Sequence, residues 1–325
     1  MEDIVNQDIF SFDDFIKSYR TIYDADFKIL SQNLKDTFSK MKNIQDWMKE
    51  HLIANNQRKL HFVHSIDDET NVQKNAQKIR NSLDLKIDWY TNSKDSWDSF
   101  KKIRQKLLRV GIITMMNGVV GQNNHRRLLI EEFRAFTLAD EYAPLIFINS
   151  NDAYEERLFS LVYEAVHVLF QLNDFFNDKK MGTHDLKKED IKCYDVCTEI
   201  LVPNEIFVRK WLNIEDKSTH DKISELATKF KCSDIVICKK AKENKYIEYE
   251  FFREFVLSKY NSDGKRRKNI GGNYYNILMS RYDNKFLLAL DDGVNEGKIS
   301  FNDVYKYTNI NEEHFLKLMN KIKED

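Results

Sequence analysis

The sequence predicts an α+β protein, mostly helical, in which one short sheet packs against a buried helix. Three observations lead there. Apolar residues recur at helical spacing over both ends of the chain, strand-like runs gather in the stretch between Gly111 and Asn149, and only two prolines and nine glycines interrupt 325 residues. Charged residues form 32% of the chain but nearly cancel, leaving a net charge of −1. Such a balance fits a soluble globular protein and gives no global basic field for sequence-independent nucleic-acid binding. No apolar run approaches the length of a membrane span, and the acidic, polar N-terminus lacks the layout of a signal peptide, so no membrane association and a cytoplasmic location are expected.

Taken in order, Asp13 to His51 carries helix-spaced apolar residues such as Phe15, Tyr19, Ile44, Trp47 and Met48, which predicts two or more helices. Phe62 to Ile66 reads as a short extended piece, and Asp67 and Asp68 are candidate caps for a helix from about Val72 to Leu83. Phe100 to Leu108 is a further amphipathic helix. Ile112–Met116 and Leu145–Ile148 are strand-like runs, and between them Glu132 to Leu138 alternates apolar and polar residues as a half-buried strand does. Leu161 to Leu169 is apolar apart from Glu164 and His167 and contains no breaker, which predicts a buried helix. A loop from Asn173 to Asp190 leads to a second helix, from about Glu189 to Leu201, closed by Pro203. Leu226 to Ile237 has the spacing of helix, tight turn, helix, and a basic, glycine-bearing joint from Asp263 to Gly272 precedes the last helices, with Phe315, Leu318 and Met319.

The chemistry-bearing stretch is Tyr163-Glu164-Ala165-Val166-His167. In an H-E-x-x-H helix two histidines one turn apart face one zinc ion, and the glutamate beside the first is the general base. Here tyrosine stands at the first histidine position. A phenol with a pKa of about 10 is a weak ligand at neutral pH. Tyr163 is therefore expected to fill the metal's space and bond Glu164 or His167, with an unusual ligand role as the second reading. Without metal, Glu164 is a buried carboxylate that needs a partner, for which Tyr163, His167 and Arg134 are candidates.

Three blocks resemble the ImmA/IrrE family of zinc metallo-endopeptidases: the strand block Glu131 to Asn149, the Tyr163–His167 helix, and Cys193-Tyr194-Asp195-Val196-Cys197-Thr198-Glu199-Ile200-Leu201-Val202-Pro203. Gly271-Gly272-Asn273-Tyr274-Tyr275 is similar to a feature of the longer members, so the resemblance runs over roughly residues 44 to 318 and is most specific in its middle third. It implies a small gluzincin-like core, with Glu164 as the catalytic residue and His167 and Asp190 as metal ligands. Tyr163 or the neighbouring Glu189 would complete the set. Asp190 stands where the family has glutamate and also suits the first turn of a helix. With one ligand position lost, Zn²⁺ binding is expected to be weak or absent. The resemblance also implies a regulatory role in a prophage, mobile element or stress response, through a protein partner such as a DNA-binding repressor. The leading expectation is a degenerate metallopeptidase that recognises that partner. An active zinc endopeptidase with a remodelled site, cleaving a repressor or a toxin–antitoxin partner, is the alternative.

Other candidates have plainer readings. His184 is read as a solvated loop residue, with a substitute-ligand role behind it. Cys193 and Cys197 share a helix face and, with Cys232 and Cys238, are read as reduced, buried thiols. Ile223 to Ala241 has the outline of a helix-turn-helix unit whose basic residues would be Lys239, Lys240 and Lys242, but such units also serve as packing modules, and direct nucleic-acid contact is not favoured. The Lys265–Lys268 run reads as an exposed linker. The expected division is 1–100, an N-terminal helical region; 101–210, the metallopeptidase-like core; and 211–325, a C-terminal helical region.

Overall fold

The computed structural model describes residues 30–60, 71–170, 183–262 and 273–324, with the backbone alone at 183–191 and 260–262. Among them, α1 (Gln32–Ala54), α2 (Val72–Ser82) and α3 (Ser96–Val110) precede five short strands, β1 (Ile113–Asn117), β2 (Val119–Val120), β3 (Asn123–Arg127), β4 (Ala135–Leu138) and β5 (Leu145–Asn149). The central pair α4 (Tyr154–Phe170) and α5 (Thr183–Leu201) follows, and then α6 (Asn204–Leu212), α7 (Thr219–Phe230), α8 (Asp234–Glu243) and α9 (Tyr249–Ser262). The chain closes with α10 (Tyr274–Arg281), α11 (Asn284–Asn295), α12 (Phe301–Thr308) and α13 (Glu312–Glu324). The mostly helical α+β class is as expected.

The three anticipated strands form one mixed sheet in the order β1-β5-β4, with β1 and β5 parallel and β4 and β5 antiparallel. Strands β2 and β3 form a separate antiparallel hairpin. Glu132 to Leu138 departs from expectation. Its regular part is β4, and all four residues of β4 are buried rather than one face of them. The reason is that both faces of the sheet are covered. Ala135, Ile146 and Ile148 join one apolar core with α2 to α9, while Phe136, Leu138, Leu145, Phe147, Ile113 and Met115 join a second core with α1 and α10 to α13. Alternate side chains of one strand thus enter different cores.

Local chemistry sets the helix ends. The α2 cap is Asn71, whose side chain accepts from the Lys74 amide at 2.9 Å; Asp67 and Asp68 lie outside the described residues, as does Phe62–Ile66. Asp95 caps α3, and Gly111, at φ 96°, ends it in the left-handed conformation that glycine adopts without strain. Helix α5 begins at Thr183, so the second half of the expected Asn173–Asp190 loop is helical, and Pro203 closes the helix as predicted. The C-terminal helices are fastened to the sheet by Arg104. Its guanidinium donates to the backbone carbonyls of Thr114, Ser280 and Tyr282 at 2.7–2.8 Å, and the Asp283 carboxylate accepts the Thr114 amide at 3.0 Å.

Candidate functional site

Helix α4 is apolar on nearly every side because it lies between the sheet, α3 and α5; every residue from Leu158 to Leu169 is buried. Two carboxylates, Glu155 and Glu156, stand in its first turn, where the helix dipole favours them. Arg134 holds this end, pairing with Asp152 at 2.7 Å and reaching Glu156 at 3.8 Å. Burial raises the Asp152 pKa against the opposing pull of Arg134.

One turn further in, Tyr163, Glu164 and His167 lie inside the first core, at 3%, 0% and 1% exposure. The spacing of four puts Tyr163 and His167 on one helix face, and their rings pack with centroids 4.5 Å apart and planes tilted by 46°. Phe159 stacks on the other side of Tyr163 at 6.1 Å, so the phenol is one layer of a ring column along α4. The Tyr163 ring occupies the space beside the His167 imidazole. Burial alone pushes the His167 pKa down to about 3, so its imidazole is neutral at physiological pH.

The Glu164 carboxylate accepts a 2.6 Å hydrogen bond from the Thr137 hydroxyl, on the face of β4 turned towards α4. Thr137 is not among the partners expected for Glu164 from the sequence. Its signal was alternation: Thr137 falls on the same strand face as Ala135, which sits in the first core. The carboxylate bond carries functional interest because a threonine hydroxyl can donate to Glu164 without neutralising it.

Asp190, Glu189 and His184 lie on α5, which packs against α4, but their side chains are outside the described residues. His184 is therefore a helix residue rather than a loop residue. Among the described residues no three His, Cys, Asp or Glu side chains group as a metal site would require. The described donors, one neutral imidazole packed against a phenol and one carboxylate bonded to a threonine, do not fit a zinc ion by themselves.

The helix, turn, helix unit forms as α7 and α8, with Lys231 at φ 61° in the turn. Two of the three lysines that a nucleic-acid-reading helix would offer, Lys239 and Lys240, are turned to internal packing instead. Lys239 and Lys240 are 2% and 4% exposed. Lys239 bonds Asp195 and Glu243 at 2.5 and 2.7 Å and sits 4.2 Å above the Tyr194 ring, while Lys240 bonds Glu199 at 2.7 Å. Glu199 also accepts the Asn204 amide at 3.0 Å, which serves the start of α6 where Pro203 has no capping side chain. These lysines clamp α8 to α5. All four cysteines are buried and none is in a disulfide, and burial drives the Cys197 and Cys232 thiols well above their ordinary range, as inert core thiols require.

No helix among the described residues is long and apolar enough to cross a membrane. Residues 120–242, which span the hairpin, β4, β5 and α4 to α8, match the sequence pattern of the IrrE N-terminal-like domain of the M78 peptidases. No curated protein matches the chain.

Proposed function

We propose that this chain, whose residues 120–242 match the IrrE N-terminal-like domain, is a regulatory protein of the ImmA/IrrE family in which the metallopeptidase frame is kept and the metal site is degenerate. It works in the cytoplasm by recognising a protein partner, of the class of a DNA-binding repressor, in a prophage, mobile-element or stress-response setting. The observation that carries this reading is the Tyr163 ring packed on His167 at the place of the first ligand histidine. Glu164, bonded to Thr137, then acts as a buried structural carboxylate. Clamping of Lys239 and Lys240 by carboxylates favours a protein partner over direct nucleic-acid contact, because neither ammonium is offered to phosphates.

The test is metal content together with activity. Purified protein is expected to hold far less than one zinc per chain by mass spectrometry, and Glu164→Gln is expected to keep partner-dependent regulation. Stoichiometric zinc that is lost in His167→Ala would overturn the pseudoenzyme reading. The double variant Tyr163→His with Asp190→Glu is expected to gain zinc if the surrounding frame is intact. An active zinc endopeptidase with a remodelled site remains the second reading. Its support is the neutral His167 imidazole, the protonation state a ligand needs, on a helix packed against the one that bears Glu189 and Asp190.

A further inference from the structure

A second polar site lies alongside the other core. Between α1, the end of β1, the β2–β3 hairpin and the end of α10 is a pocket of about 350 Å³, its open mouth included, walled by hydrocarbon from Met41, Met115 and Phe147. Two cationic side chains line it, Lys40 and Arg281, and among the described residues no aspartate or glutamate does. Lys40 donates to the neutral side-chain oxygen of Asn309. The acid one turn back on α1, Asp36, is taken by Arg126 at 2.5 Å. Desolvation lowers both cations, Lys40 to about 8, and the remaining influences on Arg281 are tyrosines, Tyr282 and Tyr274. Among the described residues no carboxylate offsets either charge. The other polar lining groups are already used inside the protein: the Thr37 hydroxyl donates to the Asn33 carbonyl, and the Asn117 amide donates to the Gly121 carbonyl.

Holding two positive charges in one half-buried, largely apolar pocket is unfavourable unless something negative joins them. A guanidinium fork and an ammonium together suit the oxygens of a carboxylate or phosphate group. We propose that this pocket is a binding site for a small anion, held through carboxylate or phosphate oxygens by Lys40 and Arg281. The site involves neither Glu164 nor His167 and stands whatever becomes of the function proposed above.

The experiment uses the full chain and two probes, inorganic phosphate and sodium benzoate, each titrated at constant ionic strength against sodium chloride while thermal unfolding is followed. A saturable rise in Tm with either probe, beyond chloride and lost in both Arg281→Gln and Lys40→Gln, is the expected result. Phosphate alone would identify the inorganic ion's class, and benzoate an organic acid with an apolar body. Absence of a saturable rise with both probes, or an equal rise in the variants, overturns the proposal. A measurement on the unaltered protein guards against misfolded variants. The rate at which an amine-reactive ester labels Lys40, read by peptide mass spectrometry, is expected to fall as the effective anion is added, and an unchanged rate overturns the proposal.

Discussion

The two faces of the three-stranded sheet bury different chemistry. Towards α4, the strands meet a core in which Thr137, Glu164 and His167 are enclosed, and the same core is bordered by the Lys239 and Lys240 ion pairs. Towards α1 and the C-terminal helices, Phe136 and Phe147 stack at 5.1 Å among Phe38, Phe133, Met115 and Leu145. Charged groups such as Arg104 and Asp283 serve its border through backbone bonds. One face is stabilised by area removed from water, and the other tolerates groups whose desolvation opposes folding. Stability alone gives no reason to keep a carboxylate and an imidazole where a leucine would pack.

Variants can separate these two logics. The largest effect is expected on the hydrocarbon face: Phe147→Ala should cost about 3–5 kcal/mol in urea unfolding through lost transfer energy and a cavity. A cost no greater than that of the polar variants below would break the contrast. On the polar face, acidification is the next largest. The folded His167 pKa, about 3, lies below the 6.5 of an exposed imidazole, so the unfolded chain binds the proton more readily. The contribution of the neutral histidine is complete above pH 6.5 and declines as pH falls from there towards 3. Between pH 7 and 5 this single group should account for a loss of about 2 kcal/mol. His167→Gln, measured in chelator at both pH values, should remove that share of the pH dependence.

Smaller still is Thr137→Val, which withdraws the hydroxyl from Glu164 and should cost about 1–2 kcal/mol at pH 7. Glu164→Gln should cost under about 1 kcal/mol, because its amide oxygen can accept the same hydroxyl. Reversal of that order would mean that the carboxylate's charge, rather than its hydrogen bond, organises the site.

Much of the frame was legible because its signals are local. The runs Ile112–Met116 and Leu145–Ile148, the unbroken apolar helix around Tyr163 and the stop at Pro203 each depend on residues within a few positions. What escaped depends on distant chain. Glu132–Leu138 alternates as a half-exposed strand does, yet β4 is buried on both sides because helices from both ends of the chain complete the second core. Thr137 and Glu164 meet across 27 positions, and Lys240 meets Glu199 across 41. A lysine pair at the end of a helix ordinarily signifies solvent, and only the fold reveals the carboxylates opposite. No apolar alternation marks the β2–β3 hairpin, because β2 is only two valines long and β3 is a polar, largely exposed run.

The composition of the second core also bears on how the protein is made. Leu34, Phe38 and Met48 precede the sheet in the chain, whereas Phe286, Phe315 and Leu318, in the same cluster, follow well after it. While the ribosome is still extending the chain, this face of the sheet has only α1 over it, and Phe136 and Phe147 are incompletely covered. The first core has its residues from Ala76 to Val256 in hand well before that. Closure of the second core therefore waits on α11 to α13, and an arrest of synthesis before α11 should yield a nascent chain that is aggregation-prone on that face of the sheet.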